Sequence, residues 1–187
     1  MRCVLVAILL WPAWETVLAV EVPQYKVIGH ITDSVELREY KDIAVATTVV
    51  EGDIRNSGNT GFRRLAGYIF GDNLSQQKIE MTAPVWQQQS SRDAYEITFF
   101  LPKNLKLPPP PINQEVSIRQ IDVTAAVLKY RGSWKVDRFY EHLSILQNVI
   151  KDSNWKINGK AIWARYDPPW MPSFLRKNEV LIPVLID

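Results

Sequence analysis

One pattern, written twice along the chain at a period of about 80 residues, constrains the fold more than any other feature. Its first copy opens on Val35-Glu36-Leu37-Arg38-Glu39-Tyr40 and continues in a β-branched run from Ile43 to Val50 that stops at Gly52. Its second opens on Val116-Ser117-Ile118-Arg119-Gln120-Ile121 and continues from Val123 to Tyr130, stopping at Gly132. Alternation with period two and β-branched enrichment predict strands in both places. The short joints predict that each pair of strands is a hairpin.

A helix follows each pair. Phe62, Leu65, Ala66, Ile69 and Phe70 fall on one apolar stripe, closed by Gly71-Asp72-Asn73. Val136, Phe139, Tyr140, Leu143, Leu146 and Ile150 form the second stripe, with Ser133 as a candidate N-cap and Asp152-Ser153-Asn154 at the end. Helices this short need a sheet to bury their stripes against. Each half then supplies two more strands, Lys78–Trp86 and Tyr95–Pro102 in the first, Trp155–Tyr166 and Glu179–Val184 in the second. The four prolines of segment 107–112 suit neither helix nor central strand and predict a stiff connector. The expected fold is α+β: two pseudo-symmetric β-β-α-β-β repeats, about 25–105 and 112–187, forming a distorted eight-stranded β-barrel flanked by two long α-helices.

Residues 1–19 stand apart. Arg2, the apolar run Val4–Trp11, Pro12 and the small residues ending at Ala19 have the layout of a secretory signal peptide cleaved after Ala19. The run is too short to span a bilayer, and no later stretch is long enough, so no stable membrane insertion is expected after cleavage. The expectation is an exported protein, periplasmic or secreted. Beyond residue 19 there is no cysteine, which removes disulfides, thiolate ligands and thiol nucleophiles. A formal charge of +2 with interspersed signs, and basic clusters no longer than Arg63-Arg64 and Arg176-Lys177, argue against nucleic acid as a partner.

Five stretches carry a family resemblance. Val35–Tyr40, Gly67–Asn73, Ile79–Val85, Tyr166–Trp170 and Arg176–Val180 are similar, in order, to the successive signatures of the SOUL/haem-binding-protein family, and the likeness runs from Tyr25 to Val184. The resemblance implies a soluble haem and porphyrin binder with the barrel and two helices derived above. It also implies that the tetrapyrrole lies against the first helix, near the Tyr166-Asp167-Pro168-Pro169 stretch. Carried onto this chain, that face is Phe62, Arg63, Ala66 and Tyr68, with Tyr166, Trp170 and Met171 opposite. Phe62 and Ala66 stand where methionines are common in the family, and Met171 where a lysine can occur.

Haem asks for an apolar slot, donors for two carboxylates and, optionally, an axial ligand. The chain has two histidines, His30, expected in a loop, and His142, at the edge of the second helix's stripe. Both are candidate axial ligands, each weighed against a solvated or surface-satisfied histidine. Met81 reads as core filler, and Trp170 and Met171 as residues that line a flat ligand. Arg63 or Arg64 could fork onto a propionate. There is no G-x-S-x-G elbow, no H-E-x-x-H and no phosphate-cradling glycine loop, so no recognisable enzyme is expected. Glu80 is expected to point outward, away from Ile79 and Met81. The expected function is non-enzymatic, reversible binding of haem or a related tetrapyrrole by a monomer, as carrier, buffer or scavenger. The alternatives are a module for another flat apolar ligand, or a cryptic hydrolase or lyase using Glu80 or Tyr166.

Overall fold

The computed structural model describes residues 20–186, so the expected leader 1–19 lies outside the described residues. The strands are β1 (Lys26–Thr32), β2 (Val35–Glu51), β3 (Val85–Ser91), β4 (Ala94–Phe100), β5 (Ser117–Arg131), β6 (Trp155–Ile157), β7 (Ile162–Arg165) and β8 (Lys177–Ile186). The helices are α1 (Ile54–Phe70) and α2 (Val136–Lys151). Six strands close a barrel in the order β2-β4-β3-β7-β8-β5, with β5 returning to β2 and every pairing antiparallel. β1 and β6 are outer strands, on β2 and β8. The α+β expectation of eight strands and two helices holds, with six of the eight in the closed ring.

The expected hairpins are not hairpins. Val35–Tyr40 and Ile43–Val50 are two arms of one long strand, β2, and the second pair is likewise one strand, β5. At Lys41-Asp42 the chain bulges instead of reversing: Asp42 takes φ 54°, the register with β5 shifts between Tyr40 and Ile43, and the Asp42 N–H donates to Asp122 Oδ1 at 2.8 Å. The extra residue changes which side chains face inward. Before it Tyr40 enters the barrel while Val35 and Leu37 lie outside under α2; after it Val45 enters while Ala46 and Val50 lie outside under α1.

Three apolar clusters follow. Tyr40, Val45, Trp86, Phe100, Ala125, Val127, Ile162, Ala164 and Leu181 fill the barrel. Phe139, Leu146 and Ile150 of α2 cover one outer face, and Leu65, Tyr68 and Ile69 of α1 cover another. Asp53 caps α1 by accepting from the Arg55 and Asn56 N–H groups, so the helix starts a full two turns before the stripe read from sequence. Its buried face is also rotated: Ser57, Gly58 and Gly61 are buried, while Phe62 and Phe70 are 39% and 63% exposed. Gly61 explains the rotation, because a Cβ there would come within 2.6 Å of Ile97, so the helix backbone rests directly on β4.

Three smaller expectations change as well. α2 begins after Lys135 with no side-chain cap, so Ser133 is not its N-cap. Pro84 has no N–H to give a ladder, and the segment from Lys78 becomes strand only at Val85, leaving Met81 42% exposed rather than in the core, while Glu80 is exposed as expected. Trp155–Tyr166 is broken at Asn158-Gly159 into β6 and β7. The proline connector packs on α1, Pro109 accepting a hydrogen bond from the Tyr68 hydroxyl at 2.9 Å.

Candidate ligand site at one mouth of the barrel

At the end of the barrel where β2 starts and β5 finishes, alternation turns Arg38, Tyr40, Tyr166 and Glu179 inward. Arg38 is fully buried and Glu179 is 6% exposed. The guanidinium forks onto the carboxylate, Nη1 to Oε2 at 3.0 Å and Nη2 to Oε1 at 2.9 Å. Arg38 also donates to Glu36 at 2.8 Å and to the Tyr40 hydroxyl at 3.2 Å, and Tyr166 donates to Glu179 Oε2 at 2.7 Å. Burial by itself would lower the pKa of Arg38, but the hydrogen bonds and charge of Glu179 outweigh it and raise it. Burial, reinforced by the Glu179 charge and hydrogen bond, pushes the Tyr166 phenol far up; burial does the same to Tyr40 against the opposing Arg38 charge. Both phenols therefore stay protonated, and Tyr166 is held as a donor to Glu179.

The segment before β1 crosses this mouth. The Glu21 carbonyl accepts from Ala83 N–H and its side chain from Lys103 N–H, both at 2.9 Å. The segment brings the Tyr25 ring to 4.2 Å from the Arg38 guanidinium carbon and 5.4 Å from the Tyr40 ring. Beside it opens a cleft of about 650 Å³ lined by Val22, Tyr25, Lys129, Tyr130, Arg131, Tyr166, Lys177, Asn178 and Glu179. That volume lies within the roughly 300–1,000 Å³ of small-molecule sites. The Tyr25 and Tyr166 rings supply flat apolar surface, and three cations, Lys129, Arg131 and Lys177, sit among them. The Tyr130 ring turns the other way, stacked on His142 under α2, where burial pushes its phenol up to about 12.

The sequence-derived site residues disperse over this scaffold. Tyr166 alone among the seven lines the cleft. Trp170 is 82% exposed and Met171 half-buried in the loop between β7 and β8. Phe62 lies at the flank of α1's contact face, partly exposed and edge-on to Phe99 at 5.2 Å, with Arg63 exposed and Ala66 half-buried beside it. Tyr68 is buried against the connector. His30 is in strand β1, not in a loop, and is exposed there. His142 stacks on Tyr130 at 4.0 Å, and its Nδ1 meets the Arg138 carbonyl at 2.7 Å. That contact puts the proton of the neutral ring on Nδ1 and the lone pair on Nε2.

Sequence reading missed Arg38, Tyr25, Lys129, Arg131, Lys177 and Glu179. An available signal was Tyr40 standing in phase with Arg38 on a strand whose other face already carries Val35 and Leu37. Among the described residues no group of three or more His, Cys, Asp or Glu side chains could hold a metal ion, and the cleft offers neither His, Met nor Cys. The residues fit a planar ligand that bears carboxylates, gripped through ring faces and anionic groups.

An antiparallel barrel under two helices, with an aromatic and cationic cleft at one mouth, is a scaffold for holding a small planar molecule. The sequence profile of the SOUL heme-binding protein family matches residues 20–183, and the chain belongs to that family. It is 30% identical over 175 residues to heme-binding protein 2 of Mus musculus, an alignment covering 87% of this chain and 85% of that one. Against heme-binding protein 2 of Homo sapiens it is 29% identical over the same shares. Among solved structures it resembles the C-terminal domain of EcmrR, with a TM-score of 0.60, 12% identity and coverage of 87% of this chain and 99% of that one. A hydrolase from Listeria innocua gives a TM-score of 0.61 at 11% identity, covering 81% and 92%. In the DNA complex of EcmrR the chain spans 57% of the longer EcmrR chain. At these identities the structural likenesses show the fold alone.

Proposed function

We propose that the protein binds haem or a related tetrapyrrole reversibly and without turnover, as a monomeric carrier, buffer or scavenger in an exported compartment, periplasmic or secreted. The observation that carries the reading is the cleft itself: the Tyr25 and Tyr166 rings match a flat macrocycle, and Arg131 and Lys177, with Lys129 shared with Glu36, match its carboxylates. Family membership points to the same ligand class. A cleft without a histidine, methionine or thiolate suits loading and release better than redox chemistry. Phe62, with Arg63 and Ala66, is a second candidate platform, favoured by a partly exposed aromatic ring on α1.

Titrating haem into the protein tests the reading. A saturable Soret shift near one equivalent, with tryptophan quenching, is expected; a spectrum that stays that of free haem overturns it. His142→Ala and His30→Ala are expected to leave the bound spectrum unchanged if the cleft holds the macrocycle. A melting temperature raised by another flat apolar molecule and not by haem would favour that ligand instead. Export predicts a mature N-terminus at Val20, and an intact Met1 on the secreted or periplasmic protein contradicts it. The hydrolase or lyase reading has less support, because Glu80 is exposed and the Tyr166 hydroxyl is committed to Glu179.

The two halves of the sequence pattern also align two charged pairs. The match of Val35–Tyr40 with Val116–Ile121 sets Arg38 beside Arg119, and each arginine meets a glutamate near the end of the other half, Glu179 and Glu96. This cross-over supports reading the barrel as an internal repeat.

A further inference from the structure

The loop bordering the cleft carries apolar side chains that ligand binding does not use, while two of the cations beside it, Arg131 and Lys177, also line the cleft. Between Tyr166 and Lys177, both cleft-lining, the chain runs Asp167-Pro168-Pro169-Trp170-Met171-Pro172-Ser173-Phe174-Leu175-Arg176. Trp170 is 82% exposed, Phe174 72% and Leu175 45%. Their backbone is pinned from behind. Arg176 Nε donates to the Met171 carbonyl at 2.8 Å and its Nη2 to the Pro169 carbonyl; Arg131 donates to the Leu175 carbonyl at 2.9 Å; Lys177 N–H donates to Asp167 Oδ2 at 2.5 Å. Ser173–Leu175 is a 3-10 turn, and Arg176 lies 4.5 Å from the Trp134 ring. Large apolar side chains on a braced loop cannot fold back to hide themselves.

The same anchors gather positive charge. Arg131 and Arg176 touch the loop, Lys177 ends it, and Arg138 reaches the Arg131 carbonyl at 3.4 Å. The carboxylates met there are Asp167, which takes the Lys177 N–H, and Glu141, 3.4 Å from Arg138. The whole-chain charge of +2 conceals this local excess.

We propose that this loop is a peripheral docking surface for an anionic lipid bilayer, with Trp170, Phe174 and Leu175 entering the headgroup region and the exposed Arg131 and Lys177 facing lipid phosphates. Protruding aromatic residues ringed by cations are the arrangement that an interface of wet, negatively charged headgroups over an apolar layer selects. Because Tyr166 and Lys177 bracket the loop, docking sets the cleft at the lipid surface, where an amphiphilic ligand can pass between bilayer and protein. The docking itself does not depend on the identity of that ligand.

Sedimentation with vesicles tests it with no tetrapyrrole present, so its failure is separable from failure of the haem titration. The protein is expected to bind phosphatidylcholine vesicles containing about one-third phosphatidylglycerol at least about tenfold more tightly than pure phosphatidylcholine. Trp170→Ser with Phe174→Ser should weaken binding about tenfold or more and abolish a blue shift in tryptophan emission, with an unchanged thermal melt, since both side chains are exposed. Arg131→Gln with Lys177→Gln should reduce the preference for anionic vesicles. No binding to anionic vesicles, or binding that the loop variants leave unchanged, overturns the assignment; in the first case the exposed residues belong to a protein partner.

Discussion

Each mouth of the barrel holds an arginine paired with a glutamate, and the two pairs have opposite surroundings. Arg38–Glu179 has side chains 0% and 8% exposed, is flanked by Tyr25, Tyr40 and Tyr166, and borders the cleft of about 650 Å³. Arg119–Glu96, at 2.5 Å, has side chains 47% and 21% exposed and borders open clefts of about 150 and 460 Å³. The difference separates scaffold from site. An ion pair in water does little beyond its own modest attraction. The buried one must be fully satisfied, and the tyrosines and the crossing N-terminal segment that satisfy and cover it also build the aromatic wall of a binding cleft.

The largest expected effect breaks this asymmetry. Arg38→Met strands the Glu179 charge in the barrel and should cost about 3–5 kcal/mol of unfolding free energy, whereas Arg119→Met should cost under about 1 kcal/mol. Urea denaturation of the two variants side by side decides it, and equal losses would contradict the comparison. Arg38→Met combined with Glu179→Leu should recover much of the loss, because the orphaned charge leaves with it.

The second effect is alkaline. Tyr40, Tyr130 and Tyr166 have folded-state pKa values raised above their ordinary 10.0, so their stabilising contribution is complete below pH 10 and declines as pH rises through the folded values. Absorbance near 295 nm should show these phenols ionising only together with unfolding, at about 1.4 kcal/mol lost per phenol per pH unit above 10. Tyr166→Phe comes next. It removes one hydrogen bond to a charged acceptor that keeps Arg38, at about 1.5–3 kcal/mol by urea melt. The smallest effect is acidic. Burial raises the pKa of Glu36, but its bonds to Lys129 and Arg38 win and hold it below the ordinary 4.5. Its contribution is therefore present above pH 4.5 and lost as pH falls through the lower folded value; thermal melts between pH 6 and 3 should show the decline, and Glu36→Gln should flatten it.

Most elements were legible in the sequence because each buried face leaves a period; β1, mostly exposed, leaves none and read as loop. Alternation marked β2 and β5, and the apolar stripes marked α1 and α2. What alternation could not show was Arg38. In an open sheet, Leu37 inward implies Arg38 outward, but a closed barrel under a helix buries both faces, and an arginine can lie inside when Glu179 arrives from far along the chain. The bulge at Asp42 was illegible for a related reason: Lys41-Asp42 looks like a turn, and only pairing with β5 along both arms keeps the strand running. On α1 the glycines carried the information that the apolar stripe obscured, since Gly58 and Gly61 mark the contact face while Phe62 lies at its flank and Phe70 looks outward. The candidate ligand residues read from the family likeness include one cleft residue, Tyr166; of the cations that complete the cleft, Lys177 lies in the Arg176–Val180 stretch but was not read as a site residue, and Lys129 and Arg131 on β5 lie in no motif.

The most direct test of the account is to map haem by paramagnetic broadening of backbone amide signals. Haem held in the cleft should broaden signals centred on Tyr25, Tyr130, Tyr166 and Lys177 and leave Glu96 and Arg119 at the other mouth unaffected. Broadening centred on the Glu96–Arg119 mouth, or on Phe62 and Ala66 of α1, would contradict it.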